Sequence, residues 1–153
     1  MTDPQAAAVI VETEPDLKDV QLLEDWLYEF NIQATGIDDG KLLSLFLRRP
    51  DGSIIGGAYG WSWGDTCYLR YLFIPANLRN KGYGTRLMRT VEQEACQRGC
   101  RQIVLETHDF QAPEFYRKLG FEVTGTVPEY PRGYQFFTLI KQLSSEKQVS
   151  ALD

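Results

Sequence analysis

The segment Leu72-Phe73-Ile74-Pro75-Ala76-Asn77-Leu78-Arg79-Asn80-Lys81-Gly82-Tyr83-Gly84-Thr85-Arg86-Leu87 constrains this chain more than any other. It reads as a hydrophobic strand, a short basic loop with two glycines, and the first turn of an amphipathic helix. Glycines at 82 and 84 let the backbone turn tightly and approach a ligand with no Cβ in the way. The helix that follows aims its unpaired N–H groups and the positive end of its dipole into the loop, which favours a phosphate there. Arg79 and Lys81 add mobile positive charge at the same spot. A plain strand-to-helix turn uses the same glycines, and the six-residue loop pattern alone leaves both readings open.

Two phosphate loops are excluded by spacing. A P-loop places its lysine directly after the second glycine and then Ser or Thr, whereas Lys81 precedes Gly82. A dinucleotide fingerprint needs a third small residue three positions past Gly84, where Leu87 stands. The pattern Arg79-x-x-Gly82-x-Gly84, entered from Leu72 to Pro75, instead resembles the pyrophosphate-binding loop of the GNAT superfamily of acetyl-CoA-dependent N-acetyltransferases. About 30 residues on, Ala112-Pro113-Glu114-Phe115-Tyr116-Arg117-Lys118-Leu119-Gly120-Phe121 resembles the second signature of that superfamily. Physically this is a short helix with Pro113 in its first turn and Ala112, Phe115, Tyr116 and Leu119 on one face. Gly120 supplies a left-handed cap before a strand that begins at Phe121.

Length and composition agree. A chain of 153 residues suits one domain over 1–153, with a core of about 10–143 and termini that are expected to fray. No apolar run approaches the ~20 residues that cross a bilayer, and Met1-Thr2-Asp3-Pro4 lacks the features of a secretory signal. Cys67, Cys96 and Cys100 form neither an even set nor a CxxC pair, so a reducing cytoplasm is expected. A net charge of −5 argues against nucleic acid as a partner and fits a cationic amine. No membrane partner is expected, and a homodimer is allowed. Too few imidazole or thiolate groups lie at close spacing for a metal site, and no elbow or oxyanion motif supports a Cys–His nucleophile.

Leu17, Val20, Leu23, Leu27 and Phe30 repeat at helical spacing, and Asn31 to Gly40 reads as a polar loop. Strands are expected at Leu42–Leu47 (buried), Ile54–Trp61, Cys67–Ile74, Ile103–Leu105, Phe121–Thr126 and Gln135–Ile140. Gly84, Leu87, Met88, Val91 and Ala95 mark one face of a helix that Gly99 ends. An antiparallel meander followed by strand-helix-strand units gives an α/β fold, a central mixed sheet with helices on both faces. GNAT proteins have that architecture, and the resemblance covers roughly residues 10 to 143.

The resemblance implies roles. Main-chain groups of Leu72, Phe73 and Ile74 pair with the pantetheine arm of acetyl-CoA like an added strand. Loop amides from Arg79 through Asn80, Lys81, Gly82, Tyr83 and Gly84 to Thr85 hold the pyrophosphate. Phe115 and Lys118 belong to the same cofactor site, as does Asp109, which stands where an asparagine is usual in the family. An N–H near Ile74 stabilises the developing oxyanion. Tyr116 matches the tyrosine beside the cofactor sulfur, where a phenol of pKa about 10 protonates a departing thiolate of about 8.5. The base stays open between Glu106, His108 and a water relay; the Glu106–Tyr116 segment is shorter than in relatives that use such a glutamate.

The resemblance implies an acceptor that is a small-molecule or peptide amine. In this fold its pocket draws on the first loop (Asn31, Gln33), the meander (Trp61, Trp63, Tyr68, Arg70) and the late loop (Glu129, Tyr130, Arg132, Tyr134). Those aromatics suit an ammonium or a ring, and equally suit a core or dimer interface. Arg70 points to an acidic group on the acceptor, against the charge balance. A non-catalytic acyl-CoA-binding sensor or assembly module would carry the same cradle.

Overall fold

A computed structural model describes residues 6–143. The fraying expected within residues 1–5 and 144–153 lies outside the described residues. The chain forms two compact units, one ending at Ile37 and the other beginning at Asp38.

The first unit holds helix α1 (Leu17–Thr35). Asp16 caps its start, accepting from the N–H of Lys18 at 2.9 Å, and Gly36 ends it at φ +73 with its N–H on Ile32 O at 2.7 Å. Residues 31–35 are therefore helical. Asn31 and Gln33 are polar but stop nothing, and the first residue that takes the left-handed cap is Gly36.

The second unit is a six-stranded sheet made from β1 (Lys41–Arg48), β2 (Ile54–Trp63), β3 (Thr66–Phe73), β4 (Gln102–His108), β5 (Glu122–Pro128) and β6 (Gln135–Gln142). Its order is β1-β2-β3-β4-β6-β5. Only β3 and β4 pair in parallel, so the sheet is mixed. The crossover between them carries helix α2 (Tyr83–Gln97), whose Met88, Val91 and Ala95 enter one core with Leu43, Ala58, Leu69, Ile103, Leu105 and Leu139. Each of these side chains larger than alanine contributes about 1.5–3 kcal/mol by leaving water. On β1 the burial alternates and only Leu43 is fully enclosed, so the strand is half-buried where the apolar run Leu42–Leu47 suggested full burial.

One irregularity positions the site. Tyr59 pairs with Tyr71 but Gly60 pairs with Leu69, which makes Arg70 the extra residue of a β-bulge on β3. Gly60 is required there, because a Cβ would collide with the Tyr68 carbonyl. The parallel ladder of β3 and β4 ends at Leu69–Leu105, yet β3 runs on to Phe73 and β4 to His108. The two strands part beyond that rung. The outer end of β4 stays ordered because Glu106, Thr107 and His108 pair with Thr138, Phe137 and Phe136 of β6. That pairing extends a strand that the sequence suggested only for Ile103–Leu105, and it makes Glu106 and His108 strand residues.

The short helix α3 (Pro113–Lys118) follows β4. Its end is a Schellman motif: Phe121 N–H donates to Tyr116 O at 3.1 Å and Gly120 N–H, at φ +95, to Arg117 O at 3.0 Å. Phe121 is buried and completes the cap, so β5 starts one residue later, at Glu122. Among the described residues no helix is long and apolar enough to cross a membrane.

Candidate active site

Where β3 and β4 part, the second unit has a cleft of about 1040 Å³. One wall is the end of β3, with Leu72, Phe73 and Ile74; the other is the end of β4, with Glu106 and His108. Arg79, Asn80, Gly82, Gly84 and Thr85 close one end, and Phe115 and Tyr116 of α3 also face the space.

The loop is shaped by two left-handed residues, Asn80 at φ +59 and Gly82 at φ +84. Gly82 is the N-cap of α2 and offers no side-chain cap, and no acidic residue lies in the first turn. Amides of that turn therefore present their partial positive charge with no protein anion to neutralise it. A Cβ on Gly82 would meet nothing within 4 Å, so open space lies over the loop. Arg79 is not mobile: its Nε donates to Ile74 O at 2.9 Å, which ties the loop to the end of the strand. Lys81 is exposed, and Tyr83 lies under the Arg86 guanidinium at 5.7 Å; neither is among the described residues of the cleft wall.

Gly84 sits beneath the Phe115 ring, whose Cζ would be 3.2 Å from a Cβ there. Phe115 in turn packs edge-on against Tyr116, centroids 5.1 Å apart. Tyr116 is only 7% exposed, and burial pushes its phenol up to about 12. It is thus a weaker acid than the ordinary phenol expected from sequence, and it stays protonated throughout the physiological range. Lys118, in the last turn of α3, is exposed and away from the cleft wall.

On the opposite wall Tyr68 donates its hydroxyl to Glu106 Oε2 at 3.0 Å. The Tyr68 phenol is raised by burial first and by this carboxylate second, with Arg70 opposing. Arg70 donates from Nε to the Tyr71 hydroxyl at 3.1 Å and lies over that ring at 5.4 Å. His108 is fixed by Gln111, whose Oε1 is 2.9 Å from both its Nδ1 and its backbone N. An amide oxygen only accepts, so Nδ1 is the donor in this contact. Asp109 Oδ2 accepts from the Gln135 N–H at 3.0 Å, which engages its carboxylate in tying the exit of β4 to the start of β6.

The remaining acceptor candidates divide. Tyr68, Arg70 and Tyr130 line the cleft. Trp61 packs on Tyr68 at 5.0 Å within the sheet, and Trp63 lines a separate cavity of about 230 Å³ beside Asp39 and Arg98, at the far end of β2. Glu129 accepts from the Gly133 N–H at 3.1 Å, and Tyr134 lies edge-on to Phe110 at 5.1 Å. Asn31 lies on α1 and accepts at its carbonyl from the Thr35 hydroxyl at 2.7 Å. Sequence reasoning missed Tyr71, Phe110 and Phe136, which also line the cleft. The available hint was the aromatic placed two residues after His108. Among the described residues no group of three or more His, Cys, Asp or Glu side chains is arranged to hold a metal ion.

A sequence model of the Acetyltransferase (GNAT) family matches residues 9–121. The chain is 35% identical over 96 residues to a blasticidin-S acetyltransferase of Streptomyces morookaense, covering 60% of this chain and 68% of that one. It superposes on the crystal structure of an acetyltransferase from Bacillus cereus with a TM-score of 0.72 at 27% identity, covering 88% of this chain and 98% of the other. In fold it also matches a Bacillus anthracis structure crystallised with acetyl coenzyme A, at TM-score 0.53 and 23% identity, covering 61% and 58% of the two chains. By sequence and by fold, the chain belongs to the GNAT acetyltransferase family.

Proposed function

We propose that this chain is an acetyl-CoA-dependent N-acetyltransferase in which a primary amine attacks the thioester directly in a ternary complex. The observation that carries the reading is the parting of β3 and β4 beyond Leu69–Leu105, beside an uncapped helix N-terminus and the buried Tyr116. The residues present fit acetyl-CoA. The end of β3 from Leu72 to Ile74 offers main-chain groups to a pantetheine arm, and the turn at Gly82 to Thr85 offers amides to a pyrophosphate. When bound, acetyl-CoA supplies the activated acetyl group. A Bacillus anthracis fold neighbour was crystallised in complex with acetyl coenzyme A, which favours that donor for this chain.

The proposed chemistry balances on this chain's own groups. Glu106, oriented by the Tyr68 hydroxyl, accepts the proton of the attacking amine directly or through water. The Ile74 amide region stabilises charge that develops on the thioester oxygen as the C–N bond forms. As the C–S bond breaks, Tyr116 donates its proton towards sulfur. Because burial weakens this acid, transfer must accompany bond cleavage, when the sulfur is most basic. The acceptor of the similar Streptomyces enzyme, blasticidin S, puts small molecules first among the classes to test. Three free cysteines suit the cytoplasm as the working compartment.

Tyr116→Phe tests the assignment, since it keeps the ring packing and deletes the hydroxyl. Turnover should fall about 10²-fold while acetyl-CoA affinity holds. Near-wild-type turnover would assign Tyr116 to packing alone.

A further inference from the structure

We propose that the acceptor is a primary amine joined through a linker of about two carbons to a flat aromatic or heteroaromatic ring, and that the ring rests on a wall made by His108, Phe110, Tyr130 and Phe136. This deepens the acetyltransferase reading and rests on it. His108 and Phe136 are direct partners in the β4–β6 register, with ring centroids 4.9 Å apart. Phe110 stacks on His108 at 5.0 Å and 17°, and Tyr130 packs on both His108 at 5.4 Å and Phe136 at 5.2 Å. All four line the cleft. His108 thus sits at the centre of a ring cluster, its imidazole fixed by Gln111.

Although they touch these neighbours, Phe110 is 56% and Tyr130 55% exposed. Aromatic surface left open in a concave site favours a ligand that covers it. The wall is ordered in advance. Asp109 holds the start of β6, Tyr130 N–H donates to Tyr134 O at 3.0 Å, and Gly133 N–H donates to Glu129. Little conformational entropy is therefore lost when a ring docks.

Glu106 fixes where the amine goes. It precedes His108 by two residues on the same strand, so both project from one face, about 7 Å apart by strand rise. An ammonium at the carboxylate and a ring on the wall then need a short linker between them. A saturated ring of equal size would bury similar area but would lack the π face that favours offset and edge-on contacts with these side chains.

Two amines matched in chain length, 2-phenylethylamine and 2-cyclohexylethylamine, compared at equal concentrations of the neutral amine, test the inference. Wild-type kcat/KM should favour the phenyl compound by about tenfold. Phe110→Leu keeps an apolar side chain at an exposed position but removes the ring, and should bring that ratio close to one. A wild-type ratio near one, or a ratio unmoved by Phe110→Leu, would overturn the inference. His108 is the single histidine of the chain, so its ring protons give isolated NMR signals. If no amine of a wider panel is acetylated, yet 2-phenylethylamine shifts those signals and 2-cyclohexylethylamine does not, the transferase reading fails and the ring wall stands. Signals unmoved by 2-phenylethylamine would dismiss the wall, whatever the turnover.

Discussion

The ring of Phe115 lies against the bare backbone of Gly84, with Cζ 3.2 Å from where a β-carbon would stand. This contact joins the first turn of α2 to α3 and so couples that turn to the element that carries Tyr116. Gly84→Val would drive two methyl groups into the ring. The loss expected is about 1–3 kcal/mol of stability, read by urea unfolding, together with reduced turnover. Phe115→Ala in the same chain should recover part of that loss. Additive losses in the double variant would show that the two residues do not act through each other.

At Gly82 strain and steric blocking can be separated. Its φ of +84 penalises any L side chain by about 1–2 kcal/mol, but asparagine tolerates this region. Gly82→Asn should therefore retain most of the stability and still lose acetyl-CoA affinity by about tenfold or more, because its side chain enters the open space over the amides. Gly82→Val should lose both. Calorimetry decides the matter, and wild-type affinity in both variants would leave the loop as a simple turn.

The loop that enters α2 at Gly82 and the Tyr116 helix were legible because both are local. Glycine spacing, a proline at a first turn and a terminal glycine each leave a mark within a few residues. What places Glu106 and His108 is pairing with Thr138 and Phe136, some 30 residues away, and no local pattern announces that β4 runs past Leu105. The bulge at Arg70 is equally silent, since only the register against Tyr59 and Gly60 defines it. The loop expected over Asn31 to Gly40 failed for the opposite reason, because polar residues continue a helix until a left-handed cap becomes available at Gly36. Phe110 and Phe136 read as ordinary apolar residues until the fold gathers them around His108.

Tyr116 should leave a signature in alkaline stability. Its folded pKa, about 12, lies above the roughly 10 of an unfolded phenol. Between those values the unfolded chain binds fewer protons, so stability is full below pH about 10 and falls as pH rises towards 12. The span corresponds to about 2–3 kcal/mol at most. Tyr116→Phe should flatten that part of the profile in urea titrations from pH 9 upward. An unchanged slope would mean that the phenol is not desolvated.

Glu106→Gln keeps an oxygen that accepts from Tyr68 and removes only the basic carboxylate. Turnover should drop about 10²-fold with acetyl-CoA binding intact, and the acidic limb of the pH–rate profile should disappear. Retention of both the rate and the limb would shift the proton acceptor to His108 Nε2 or to water.

The most direct test of the whole account is an acetyl-transfer assay on purified protein across a panel of primary amines. Free CoA thiol and the mass of the acetylated amine are measured together. Thiol should appear only when acetyl-CoA and an acceptor are both present, in one-to-one yield with the acetylated amine, and Tyr116→Phe should suppress both. Tight acetyl-CoA binding with no acetylated product from any amine would contradict the account and leave a module that holds acyl-CoA without turning it over.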